Sequence, residues 1–181
     1  IGGFYGPKEV DSIGPDFEMP TYISDEYFAK IKESGVNLIT YSDVFYDTSP
    51  EAVKKMLELG EKYGVGITVS DRRYLQDGDA LTTEQAKKYL SAYDSYSAFC
   101  GVYGIDEPTS EYYPETNDKD ISLYATSINK LGELGVWSYG NLFPCYGEAY
   151  REAYDHYVEE WLTTCDVVML LWDHYVHDKN V

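Results

Sequence analysis

Two adjacent carboxylates, Asp106 and Glu107, stand between a short apolar run and a proline in the stretch Phe99-Cys-Gly-Val-Tyr-Gly-Ile-Asp-Glu-Pro108. A pair of acids can divide acid/base labour. One, kept protonated by its neighbour's charge and by partial burial, donates a proton while the other stays ionised. That division requires the pair to be held in place rather than carried on a solvated loop. Phe99 to Ile105 has the Val, Ile and aromatic content of a buried strand. Pro108 has no N–H to give a ladder and stops it. The spacing therefore predicts Asp106 and Glu107 at the carboxyl end of a buried strand, where α/β folds bind ligands. In a chain with 32 acids, the plain alternative is a pair of solvated loop acids.

The elements that would position this pair repeat along the chain. A first strand lies in Ile1–Pro7. Ser24 caps a helix with Asp25 and Glu26 in its first turn, and Gly35 stops it. A second strand covers Val36–Tyr41. Ser49-Pro50-Glu51 starts a helix that Gly64 ends, and Val65–Ser70 is the third strand. Thr82 and Gln85 form a capping box, with Ala86, Tyr89, Leu90 and Tyr93 as the buried stripe of that helix. After the fourth strand, a helix from near Asp120 ends at Gly135. A fifth strand begins at Val136 and finishes near Asn141–Pro144. A helix over Glu148–Leu162 leads to a sixth strand, Asp166–Trp172. Strand and helix alternate about every thirty residues, as βαβ units require, and a Gly-Val pair opens three of the strands.

Alternation of this kind means a parallel sheet flanked by helices. No Gly-x-Gly-x-x-Gly follows the first strand, which weakens a dinucleotide-binding sheet. The expectation is an α/β fold of the (β/α)8 TIM-barrel type, incomplete, with about six βα units. It would form a single barrel-like domain over residues 1–181. Both ends read as cut, so the chain is expected to be a fragment of a longer catalytic domain.

Residues just after the strands would share one rim. They are Tyr5, Asp43, Phe45, Tyr46, Asp71, Arg72, Tyr74, Asp106, Glu107, Asn141, Phe143, Trp172, Asp173, His174 and Tyr175. The opposite ends are mainly Gly-Val. Carboxylates with aromatics on one rim suit sugar chemistry, which needs one acid to protonate the leaving oxygen and a second carboxylate on the other face. Glu107 is the candidate general acid/base, and Asp106 would orient it or hold a sugar hydroxyl. Tyr46, Tyr74 and Trp172 could stack on sugar rings, although ordinary packing explains each ring equally well. Asp43, Asp71, Asn141, Asp173, His174 and Tyr175 would complete the substrate-binding set.

Composition narrows the partners. A formal charge of −18 repels phosphate backbones and anionic lipid. Nucleic acid is therefore not an expected partner, and no run is long enough to insert in a membrane. A neutral oligo- or polysaccharide would not be repelled, and 20 tyrosines offer flat faces with polar edges. Cys100 and Cys165 read as small buried hydrophobes. With Cys145 they make an odd, irregularly spaced set that suggests neither a disulfide framework nor a zinc site. No cofactor and no metal is called for.

Gly104-Ile-Asp-Glu-Pro108 resembles the fourth-strand motif of the retaining glycoside hydrolases built on (β/α)8 barrels, and Trp172-Asp-His-Tyr175 is similar to the sixth-strand ending of some bacterial members. The resemblance implies a glycosidase with Glu107 as acid/base, and the expected setting is extracellular, at the cell surface or periplasmic. A cytoplasmic setting stays open. Asp106 stands where the family has Asn, which puts that residue's contact to the sugar 2-hydroxyl in question. The family's nucleophile closes a seventh strand, so none is assigned here.

Two alternatives are carried. A divalent-metal-dependent sugar isomerase or epimerase would use Asp71, Glu107, Asp173 and His174 as ligands. A non-catalytic glycan-binding module would use the same rim without turnover.

Overall fold

A computed structural model describes residues 2–5, 22–76, 81–108, 110, 121–144, 151–167 and 169–172. The strands are β1 (Gly2–Tyr5), β2 (Leu38–Tyr41), β3 (Gly66–Ser70), β4 (Phe99–Asp106), β5 (Ser138–Leu142) and β6 (Leu171–Trp172). The helices are α1 (Asp25–Glu33), α2 (Pro50–Tyr63), α3 (Arg73–Gln76), α4 (Thr83–Leu90), α5 (Ile121–Glu133) and α6 (Arg151–Thr164). The strands form a six-stranded sheet in chain order, β1 to β6. The β1–β2, β2–β3, β3–β4 and β5–β6 pairings are parallel. The fold is α/β with a parallel sheet.

The chain divides into two compact units, Ile1–Arg73 with Glu84–Tyr103, and Tyr74–Thr83 with Gly104–Val181. In the first, Ser24 accepts the Tyr27 N–H at 3.5 Å and caps α1, while α2 begins at Pro50, whose missing N–H costs nothing there. Val53, Met56, Leu57 and Leu59 of α2 are buried, as are Ile67 and Val69 of β3. Gly60 allows that packing: a Cβ there would lie 2.6 Å from the Val65 carbonyl oxygen and 2.8 Å from Ala98 Cβ. α2 ends at Gly64, which adopts φ +66° without the penalty a side chain would bring.

The second unit has its own core, with Ile121, Tyr124, Ala125 and Ile128 of α5 against Leu142, Phe143, Tyr157, Trp161 and Cys165. Burial pushes the Cys165 thiol up to about 12, with the Glu160 charge adding to the shift. Burial likewise pushes the Tyr124 phenol up to about 12.

Three expectations need correction. β6 is two residues long, not the whole run from Asp166. The Asp166 N–H is given to Asn129 Oδ1 at 2.7 Å and that of Val167 to the Cys165 carbonyl at 3.0 Å, so neither joins a ladder. Cys100 is exposed, and its sulfur fills the face of Gly66 where a Cβ would otherwise stand. α4 also stops at Leu90, although Tyr93 beyond it is fully buried.

Candidate functional site

In the second unit, β4 delivers Asp106 and Glu107, and β5 delivers Asn141 beside them. The Asn141 side-chain amide donates to Asp106 Oδ1 at 3.0 Å, and the Glu107 N–H donates to the Asn141 carbonyl at 2.8 Å. One buried residue thus grips the side chain of the first acid and the backbone of the second. Glu107 has φ 49°, the one positive φ at a non-glycine position among the described residues. That conformation costs an L-residue roughly 1–2 kcal/mol, so its neighbours must hold it there. It also ends the strand alternation that would send residues 106 and 107 to opposite faces.

Pro108 follows and is anchored from α6. The Tyr157 hydroxyl donates to the Pro108 carbonyl at 2.7 Å and accepts the Phe143 N–H at 3.3 Å. A buried phenol therefore ties the chain just past Glu107 to the chain just past β5. Gly104 has a steric role in the same strand: a Cβ there would lie 3.2 Å from the Tyr139 carbonyl oxygen.

In the first unit, β3 ends in Asp71, which is 2 % exposed. Its Oδ1 accepts the Arg73 backbone N–H at 3.1 Å, which starts α3. The Arg73 guanidinium returns onto the same carboxylate, with Nε 2.9 Å from Oδ1 and 3.1 Å from Oδ2. The Tyr93 hydroxyl donates to Oδ2 at 3.1 Å. Arg73 is itself packed against two rings, 4.7 Å from the centroid of Tyr46 and 4.4 Å from that of Tyr89. Arg72 forks onto Asp47, with Nε 3.1 Å and Nη2 2.9 Å from Oδ2, and lies 4.6 Å from the centre of the Phe45 ring. At the end of β2, the Tyr41 hydroxyl donates to the exposed Asp43.

The structure thus brings Asp106, Glu107 and Asn141 together in one unit, and Asp71 and Tyr46 together in the other. Tyr74 is buried, 1 % exposed, and its carbonyl accepts from Ser127 Oγ at 2.6 Å. Trp172 is half exposed and lies with Val158 and Leu162 of α6 along an apolar groove. Asp173, His174 and Tyr175 lie outside the described residues, as does Cys145, and Tyr5 is described in its backbone alone.

Sequence reasoning missed Arg73, Tyr93 and Tyr157. Arg73 stood two residues from a strand-end acid, a spacing that allows a side chain to fold back onto it. Tyr93 read as part of a helix's buried stripe and Tyr157 lay within an expected helix, with nothing to mark where their hydroxyls would reach.

Among the described residues, no group of three or more His, Cys, Asp or Glu is placed to hold a metal ion, and no helix is long and apolar enough to cross a membrane. Comparison with protein-family models, with curated proteins and with solved structures returns no match.

Proposed function

We propose that this chain is part of a carbohydrate-active enzyme on a (β/α)8-type barrel, a glycosidase in which Glu107 is the general acid/base. The observation that carries the reading is the left-handed conformation of Glu107 at the carboxyl end of β4, held by Asn141 on one side and the Tyr157–Pro108 bond on the other. A strained acid secured by several contacts is the kind of feature that persists at sites of chemistry. The parallel α/β sheet in chain order supports the barrel.

In this reading the Glu107 carboxyl gives its proton to the departing glycosidic oxygen and, as carboxylate, takes one from the incoming water. Asp106 orients a sugar hydroxyl while Asn141 fixes its own rotamer. The substrate is an oligo- or polysaccharide, and the setting is extracellular or periplasmic.

The test is hydrolysis of a panel of glycosides by the wild type and by Glu107→Gln. The variant should lose about 10²–10⁴-fold in kcat/KM on alkyl glycosides. The loss should be smaller on nitrophenyl glycosides, whose leaving group departs without a proton. Full activity of Glu107→Gln would end the assignment. Saturable glycan binding with no turnover by the wild type would replace the enzyme with a binding module.

A further inference from the structure

Two links hold the end of β4 to the end of β5, and they differ in kind. The first is backbone to backbone: the Glu107 N–H donates to the Asn141 carbonyl at 2.8 Å. A parallel ladder continues from such a bond by bringing the N–H two residues further along the partner strand to the carbonyl of the same residue. Here that step would carry the Phe143 N–H to the Glu107 carbonyl. But β4 stops at Asp106, and Glu107 turns left-handed at φ 49°. The Phe143 N–H is given to the Tyr157 hydroxyl at 3.3 Å, and that hydroxyl donates in turn to the Pro108 carbonyl at 2.7 Å. A side chain from α6 thus supplies the rung that the turn at Glu107 takes out of the ladder.

The hydroxyl does this independently of the ring. The Tyr157 ring is fully buried and packs near Phe143 and Tyr154, with centroids 6.3 Å and 5.9 Å away. A phenylalanine would make the same contacts. Burial on this helix does not by itself secure a partner for a polar atom. One turn on, the equally buried Trp161 has an indole N–H with no acceptor among the described residues. A phenol is donor and acceptor at once, which is what a gap between an N–H and a carbonyl requires. Asn141 pins the chain at the Glu107 N–H, and Tyr157 pins it one residue later. The backbone torsions that aim the Glu107 side chain are therefore held from both sides.

We propose that Tyr157 is a positioning residue for Glu107: its hydroxyl bridges Phe143 and Pro108 and so holds the acid's backbone in the left-handed turn. The consequence for catalysis rests on the glycosidase reading above; the hold on the backbone does not. The variant is Tyr157→Phe, which keeps the ring and removes the bridge. Its control is Ser127→Ala, which removes another buried hydroxyl-to-carbonyl bond, from Ser127 Oγ of α5 to Tyr74 at 2.6 Å. Residue-resolved amide exchange by NMR reads the backbone. In Tyr157→Phe the Glu107 N–H should exchange about tenfold faster, beyond any change in global stability measured by urea unfolding. In Ser127→Ala it should follow global stability alone. Kinetics read the carboxyl. Tyr157→Phe should lower kcat on alkyl glycosides by roughly 10–10²-fold with KM nearly unchanged. The loss should shrink on nitrophenyl glycosides, whose leaving group needs no proton, and Ser127→Ala should show no such dependence on the leaving group. Unaltered Glu107 exchange in Tyr157→Phe would overturn the proposal. So would faster exchange with kcat unchanged, or a loss of kcat equal for both leaving groups. A wild type that hydrolyses no glycoside would sink the glycosidase reading alone, and the exchange rates would still decide whether Tyr157 holds Glu107.

Discussion

The end of β3 and the end of β4 both present acids, and they treat them in opposite ways. Asp71 is buried and answered by a two-pronged guanidinium, a phenol and a backbone N–H, while the arginine that answers it is flanked by two rings. Its charge is consumed locally, which is the signature of a structural pair. Asp106 and Glu107 are positioned through a carboxamide, a backbone carbonyl and a proline anchor, and one of them sits in a strained backbone conformation. The same residue type at equivalent places thus holds the chain through a closed ion pair in one unit and, in the other, is itself held in place by neutral hydrogen-bonding groups.

The largest stability effect expected is at the first of these. Asp71→Ala leaves Arg73 and the Tyr93 hydroxyl without their acceptor and should cost about 3 kcal/mol, read as a lower urea midpoint at unchanged m-value. A loss under about 1 kcal/mol would place Asp71 with the surface pairs and dissolve the contrast. The second effect runs the other way. Glu107→Gly relieves the left-handed strain and should raise stability by about 0.5–1 kcal/mol, and under the proposed function it should also remove glycosidase activity. Stability unchanged or lowered would show that the conformation carries no stored cost.

High pH sharpens the contrast within the second unit's core. The Tyr124 and Cys165 pKa values are raised on folding, each to about 12, so the folded chain keeps protons that the unfolded chain releases. Their contribution is complete below the unfolded values and is lost as pH climbs toward 12. The urea midpoint should fall between about pH 9 and 11, and Cys165→Ala should flatten that fall. Alkylation mapped by mass spectrometry at neutral pH should mark the exposed Cys100 well before Cys165. The smallest effect is at the surface. Lys62 and Tyr63 hold the exposed Asp25 carboxyl below its usual range, yet Asp25→Asn should leave the melting temperature unchanged within error at neutral pH.

The alternation of elements was legible because its signals are local. Ser24 and Pro50 start helices where their chemistry requires, and Gly35, Gly64 and Gly135 each take the positive φ that a helix-ending glycine supplies. The position of Asp106 and Glu107 at a strand end was legible for the same reason. What the chain order hid was long-range or conformational. No local rule carries the Tyr157 hydroxyl 49 residues back to Pro108. The identity of Glu107 gives no hint of its φ, since glycine or asparagine is the usual occupant of that region. Apolar content overstated β6, because the donors of Asp166 and Val167 were taken by Asn129 and Cys165 before a ladder could form.

Tyr157 has one consequence that reaches past its two hydrogen bonds. It lies on the same helix as Val158 and Leu162, so the rod that walls the groove also holds the loop behind Glu107. Hydrogen bonds weaken steeply once stretched beyond about 3.5 Å, and a sideways slip of α6 by a fraction of a turn would release the Pro108 carbonyl. The posture of the acid is therefore anchored on a helix whose other face, at Asp155, Glu159 and Leu162, is exposed.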